Sequence, residues 1–215
     1  MKEYNKIETV YARDTNGTKK LIDGLFRNEA VEYLARNIWM WTEKIDGTNI
    51  RIHWDGHKIT FGGRTDKSQI PSHLLTKLSE MFLNNETEEL FEQKFGEKEV
   101  TLFGEGYGAR IQKGGDYRPD VSFILFDVLI DDIYLSRGST EDIARCFGLE
   151  IVPIVKYGTI ADAIEFVKSK PHSTIGTAMM EGLVGRPIID MYDRVGNRVI
   201  VKIKACDFAT EGGGE

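Results

Sequence analysis

The chain has little of several residue types, and each shortage removes a class of protein. Two cysteines occur in 215 residues, Cys146 and Cys206, far apart and in no CxxC pair. That excludes a disulfide framework and a zinc site built on paired thiolates, and it makes a reducing, cytoplasmic setting the expectation. The four histidines (His53, His57, His73 and His172) sit in no HExxH or triad-like setting, so they read as surface or packing residues. No run of about 18 apolar residues occurs, so no membrane span is expected. Met1 to Lys6 leads into no apolar stretch of the kind a secretory leader has. Net positive charge is also missing: 28 Lys+Arg against 34 Asp+Glu give a formal charge of -6. Taken alone, that argues against a surface coated in phosphate-binding cations.

What is present is an ordinary globular inventory, 41% hydrophobic and 29% charged. It suffices for a core and excludes a disordered or fibrous chain. The length, with no repeat and no linker, is read as a single domain spanning 1–215.

The pattern mixes strands and helices without regular βαβ alternation. Residues 38–44, 48–54 and 58–62 are rich in β-branched and aromatic types, with Asp46-Gly47 and Asp55-Gly56 between them. They are read as an antiparallel meander. Residues 71–95 read as two helices broken at Asn84-Asn85, closed by Gly96. Strands are expected at 98–104 and 121–130, with a glycine-rich, basic and aromatic loop between them. A helix opening at Ser139 and ending at Gly148 follows, then a strand 150–157, a helix 160–169 capped by Thr159, and strands near 182–190 and 198–204 before a glycine-rich tail. The fold class is α+β with antiparallel sheets.

The chemistry is densest at Glu43-Lys44-Ile45-Asp46-Gly47-Thr48-Asn49. A lysine at a strand end, beside a tight turn and a carboxylate, is either a solvated hairpin lysine or a nucleophile. As a nucleophile its amine must be neutral, which requires burial or nearby cations. Four further segments follow in order: Phe103-Gly104-Glu105-Gly106, Phe123 to Asp127, Glu181 to Pro187, and Val201-Lys202-Ile203-Lys204. Strand alternation puts Lys202 and Lys204 on one face, where two like charges call for an anion; a triphosphate is the natural candidate.

These five segments resemble motifs I, III, IIIa, IV and V of the covalent nucleotidyltransferases, the ATP-dependent ligases and mRNA capping enzymes. The version with Gly47-Thr48-Asn49, Ile111-Gln112-Lys113-Gly114 and Tyr117 is most similar to the RNA ligase 2-like branch of phage-type RNA ligases. The resemblance implies a ligase adenylation domain with antiparallel sheets and flanking helices around an ATP cleft. It implies an ATP-dependent RNA ligase in which Lys44 attacks the α-phosphate of ATP, releases pyrophosphate and becomes lysyl-AMP. AMP then passes to a 5′-phosphate, and a 3′-hydroxyl displaces it to seal the strand. Such phosphoryl transfer asks the protein chiefly for positioning and charge neutralisation.

By the same resemblance, Glu43, Asp46, Gly47, Asn49, Arg64, Glu105, Phe126, Glu181, Arg186, Lys202 and Lys204 bind ATP. Glu105 takes the ribose hydroxyls, and Phe126 stacks on adenine with Phe123 as the competing ring. Asp46 and Glu181 hold Mg²⁺, with Mn²⁺ as the alternative. Arg110, Lys113 and Arg118, in the glycine loop, are the candidates for RNA contact. The implied partner is RNA with 5′-phosphate and 3′-hydroxyl ends, with a further protein supplying substrate grip, no membrane and a monomeric chain; a phage-encoded enzyme would act in its host's cytoplasm. Two departures stand out: Arg186 replaces the usual lysine of motif IV, and its planar fork holds phosphate differently. Asn49 stands where DNA ligases and capping enzymes usually have arginine. The chain ends shortly after Lys204, so no OB-fold or C-terminal helical domain is expected. The alternatives are a DNA ligase, a capping-type guanylyltransferase, or a catalytically reduced nucleic-acid end-binding module.

Overall fold

A computed structural model describes residues 1–112 and 114–208. In chain order its strands are β1 (Glu8–Thr9), β2 (Tyr11–Arg13), β3 (Leu21–Phe26), β4 (Trp39–Glu43), β5 (Thr48–Trp54), β6 (Ile59–Gly62), β7 (Val100–Gly108), β8 (Val121–Ile130), β9 (Ile133–Tyr134), β10 (Glu150–Ile151), β11 (Ile154–Gly158), β12 (Gly182–Pro187) and β13 (Val201–Lys204). Its helices are α1 (Glu29–Tyr33), α2 (Ser72–Phe82), α3 (Asn85–Phe95), α4 (Arg137–Cys146) and α5 (Ile160–Lys168). Within the stretch expected as one domain, the chain forms two compact units, each discontinuous in sequence. One holds Met1–Asn5 and Asp46–Val152, the other Lys6–Ile45 and the chain from Pro153 onward.

The first unit is a sheet in the order β10-β8-β7-β5-β6, with β9 beside β8. Every pairing is antiparallel except β10 with β8. Alternation along β5 sends Ile50, Ile52 and Trp54 into one core with Leu74, Leu78 and Phe82 of α2, Phe91 and Phe95 of α3, and Ile143 of α4. Asn49, Arg51 and His53 take the other face. Helix α3 begins and ends as the sequence implies: the Asn84 side chain caps it and Gly96 closes it with φ 57°. For α4 the cap is Ser136, three residues ahead of the expected start, because its hydroxyl accepts the Ser139 N–H.

The second unit is a sheet in the order β1-β13-β12-β4-β11, with a separate β2–β3 hairpin. Its core joins Trp39, Trp41, Leu183, Val201 and Ile203 to Val31 of α1 and to Ile160, Ile164 and Val167 of α5. The Trp39 and Trp41 rings stack 5.7 Å apart. Helix α5 is capped by Thr159 as read from the sequence, and the structure makes that cap a full capping box, with Thr159 and Asp162 satisfying each other's backbone N–H.

The expected 38–62 meander is corrected. Only β5 and β6 pair as a hairpin; β4 pairs with β12 and β11 in the other sheet. Asp46-Gly47 is therefore a passage between units, and Gly47 is needed for room: a Cβ there would lie 2.3 Å from the Gly106 carbonyl oxygen and 2.7 Å from Glu105 Cγ. The expected strand 150–157 is likewise divided. The Val152 N–H still bonds to Leu125 in one sheet, and Ile154 pairs with Thr42 in the other. Pro153 between them has no N–H to offer either ladder, which ends the first strand.

Candidate active site

In the second unit, apolar Trp39 and Trp41 fill the core side of β4, and alternation turns Thr42 to the opposite face. Lys44 follows β4 directly, and its N–H bonds to the Gly182 carbonyl at 2.9 Å. Its Nζ donates to Glu181 Oε2 at 2.5 Å. The other oxygen, Oε1, lies 3.0 Å from Lys204 Nζ. One carboxylate thus bridges the ammonium groups of two motifs. Glu181 is fixed through its own backbone too: its carbonyl accepts the Ala205 N–H at 2.9 Å. Gly182 at φ 155° allows that approach, since a Cβ would sit 2.0 Å from the Ile203 carbonyl. The Glu181 hydrogen bond holds the Lys204 ammonium above its ordinary pKa, against the opposing effect of burial.

Lys202 and Lys204 do share the polar face of β13, Val201 and Ile203 filling the other. Within the chain, the anion against Lys204 is Glu181. Arg186 lies on β12, 8% exposed, with Nη1 3.8 Å from Asp190. Glu43 is placed away from Lys44, on the core side of β4 with Trp41. It is 1% exposed; Oε2 accepts the N–H (2.9 Å) and hydroxyl (2.6 Å) of Thr174, and Oε1 has no partner among the described residues.

The first unit holds the other motif residues. The Asp46 N–H bonds to the Tyr117 hydroxyl at 3.3 Å, tying the start of the turn to the glycine loop. Asn49 on β5 stands directly opposite Glu105 on β7, on the same face. Its Oδ1 is buried without a partner among the described residues. Glu105, expected at a strand end, is mid-strand, because β7 runs on to Gly108. Phe123 is fully buried beneath α2, edge-on to Phe82 at 5.8 Å, with its ring over Gly104. Phe126 is half-buried and is the extra residue of a bulge: Phe103 pairs with Asp127, and Gly104 with Leu125. Of the two competing rings, Phe123 is thus a core residue.

Arg64 is exposed in a tight turn held by the Ser68 hydroxyl on the Thr65 N–H. Among the loop cations, Arg110 is exposed, in a left-handed backbone conformation at φ 66°. Arg118 forks between Asp120 (2.7 Å) and Glu150 (2.8 Å) and lies over the Tyr107 ring. Its charge is largely matched within the fold. Burial pushes the Tyr107 phenol beneath it up to about 12. Lys113 lies outside the described residues. Sequence reading missed Thr174, Arg51 and Tyr4; none sits in a motif, and each is brought to its place by a long-range contact.

The RNA ligase family matches residues 37–204. The chain belongs to that family. The match bears out the resemblance to RNA ligases; it begins ahead of Lys44 and closes on Lys204. Three solved structures of Naegleria gruberi RNA ligase share the fold. A mutant with ATP and Mn is 17% identical at a TM-score of 0.66, covering 95% of this chain and 56% of that one. A form with PPi is 16% identical at 0.61, covering 95% and 62%. A mutant with AMP and Mn is 16% identical at 0.60, covering 92% and 60%. The chain thus spans rather more than half the length of these relatives. No curated protein matches it.

Proposed function

We propose that this RNA ligase family member is an ATP-dependent RNA ligase that works through a lysyl-AMP intermediate. The observation that carries the reading is the Lys44–Glu181–Lys204 bridge, in which a lysine at a strand end is aimed by a carboxylate that also holds a second lysine. A lysine serving only solubility needs no such partner. Naegleria structures that contain ATP, AMP and PPi support the same reading.

In the proposed reaction Lys44 gives up a proton, its Nζ bonds to the α-phosphorus of ATP, and the bond to pyrophosphate breaks. Lys204, Lys202 and Arg186 supply positive charge where the phosphate becomes more negative. Glu105 and Asn49, opposite one another, offer a polar pair for the ribose, and Phe126 a ring for the base. AMP then moves to the 5′-phosphate of RNA, and a 3′-hydroxyl displaces it. No group of three His, Cys, Asp or Glu suited to a metal exists among the described residues. A lone carboxylate such as Glu181 suits Mg²⁺ or Mn²⁺, which take most of their oxygens from water and phosphate. Bound there, the ion would neutralise phosphate charge; Asp46, the other carboxylate the resemblance assigns to the metal, belongs to the other unit.

The test is incubation with α-labelled ATP and magnesium, followed by denaturation. Label is expected on the polypeptide and is expected to vanish in Lys44→Ala. An unlabelled wild type, or equal labelling of the variant, overturns the mechanism. Nicked RNA, nicked DNA and labelled GTP in parallel distinguish an RNA ligase from a DNA ligase or a guanylyltransferase.

A further inference from the structure

We infer that the amino-terminal segment Met1–Tyr4 is a positioning element for nucleotide binding, holding the Phe126 ring through Tyr4 and the Arg64 turn through Arg51. The inference rests on the proposed function and concerns residues outside all five motifs.

Arg51 lies on β5 two residues after Asn49, on the same face, and is 0% exposed. A guanidinium so far from water is costly unless its donors are met. Nε donates to the Gly63 carbonyl at 2.7 Å and Nη2 to the Asp66 carboxylate at 2.8 Å. Nη1 donates to the carbonyls of Met1 (3.2 Å) and Lys2 (3.3 Å). The same fork therefore grips the turn on both sides of Arg64 and the amino-terminal segment. A second tie joins the two, as the Asp66 N–H reaches Glu3 Oε1 at 3.3 Å.

Tyr4 makes the other attachment. Its ring lies 4.9 Å from Phe103 and 5.1 Å from Phe126, edge-on to the latter at 72°. Its hydroxyl donates to Asp127 Oδ2 at 2.8 Å, and Asp127 is 2% exposed. Phe126 is the extra residue of a bulge, so regular strand alternation does not fix its direction. An edge-to-face neighbour anchored to the next residue in sequence supplies what the ladder does not. Neither Tyr4 nor Arg51 has to touch the nucleotide; each acts through the residue it holds.

The experiment measures ATP affinity by calorimetry in a Lys44→Ala background with magnesium. Labelling rate against ATP concentration in the Lys44 protein, and the melting temperature, complete it. Tyr4→Ala is expected to weaken ATP binding about tenfold and to raise the KM for labelling by a similar factor, with the saturating rate nearly unchanged. Tyr4→Phe, which keeps the ring but gives up the hydroxyl bond to Asp127, is expected to recover part of the loss in both. Asp66→Asn, which keeps an oxygen to accept from Arg51 Nη2 but removes the charge, is expected to raise KM by a smaller factor through the Arg64 turn. A Tyr4→Ala protein that melts lower yet binds ATP as tightly as its parent overturns the inference, leaving the segment a structural role. A wild type that takes no label overturns the proposed function itself, and this inference with it.

Discussion

In the unit built on β4, β12 and β13, the charged side chains of the bridge remain partly open to water: Lys44 is 25%, Glu181 18% and Lys204 32% exposed. In the unit built on β5, β7 and β8, the comparable charges are sealed, Arg51 at 0% and Asp127 at 2%. Both sets are paired, but the pairs differ in what they can do. An open pair can trade its protein partner for a phosphate or a metal at modest cost, because water screens the exchange. A sealed pair loses several kcal/mol of compensation if either partner leaves, so it behaves as scaffold. The first unit thus offers shape, a ring and a polar pair on a stiff sheet; the second offers exchangeable charge around a nucleophile.

The largest effect that could break this contrast is at Glu181. Glu181→Ala is expected to slow labelling by about a hundredfold or more, the scale of removing one aligned electrostatic group. Single-turnover rates check it, and a loss of only a few-fold would mean that the bridge is no more than a surface ion pair. Next is Gly185→Ala, whose Cβ would lie 2.2 Å from the Trp41 ring. Such overpacking is expected to cost about 1–3 kcal/mol, read from urea unfolding, and to act on the second unit's core without removing any charge.

Smaller effects are expected from the loop arginines. Arg110→Ala should reduce the slope of log affinity for RNA against log salt by about 0.7 to 0.9. Arg118→Ala should leave that slope unchanged, since Asp120 and Glu150 already match its charge. Equal slopes for the two variants would remove the distinction between open and committed cations.

The smallest effects are in pH. Burial holds His53 below its ordinary 6.5, so the unfolded chain binds its proton first. Stability is then lost as pH falls through 6.5 toward the folded value. Lys204 lies above its ordinary 10.5, so its contribution is full below that value and is lost as pH rises through the folded one. His53→Gln should flatten the acid limb of a urea-midpoint profile while leaving labelling nearly unchanged; Lys204→Met should flatten the alkaline limb.

The negative total charge obscured this arrangement. Acidic residues such as Glu86 and Glu88 crowd the first turn of α3, where they suit the helix dipole, while Lys44, Lys202, Lys204 and Arg186 belong to a single sheet. Legible in the sequence were β5 and β8, the caps of α3 and α5, and the shared face of Lys202 and Lys204. Not legible were the separation of β4 from β5, the division of the 150–157 strand and the inward turn of Glu43.

By itself the sequence determined what depends on neighbours a few residues apart: which face of a strand each side chain takes, where helices are capped, and the motif order that marks the RNA ligase family. Alternation and capping are local physics, so they survive without knowledge of the fold. Only the tertiary structure decided that Lys44 and Asp46, two residues apart, belong to different units. It also placed Thr174 against Glu43, Tyr117 against the Asp46 backbone, and the first four residues against Arg51 and Phe126. Those outcomes depend on which distant surfaces exclude water from one another, and strand partners are chosen by that burial rather than by the residues that join them.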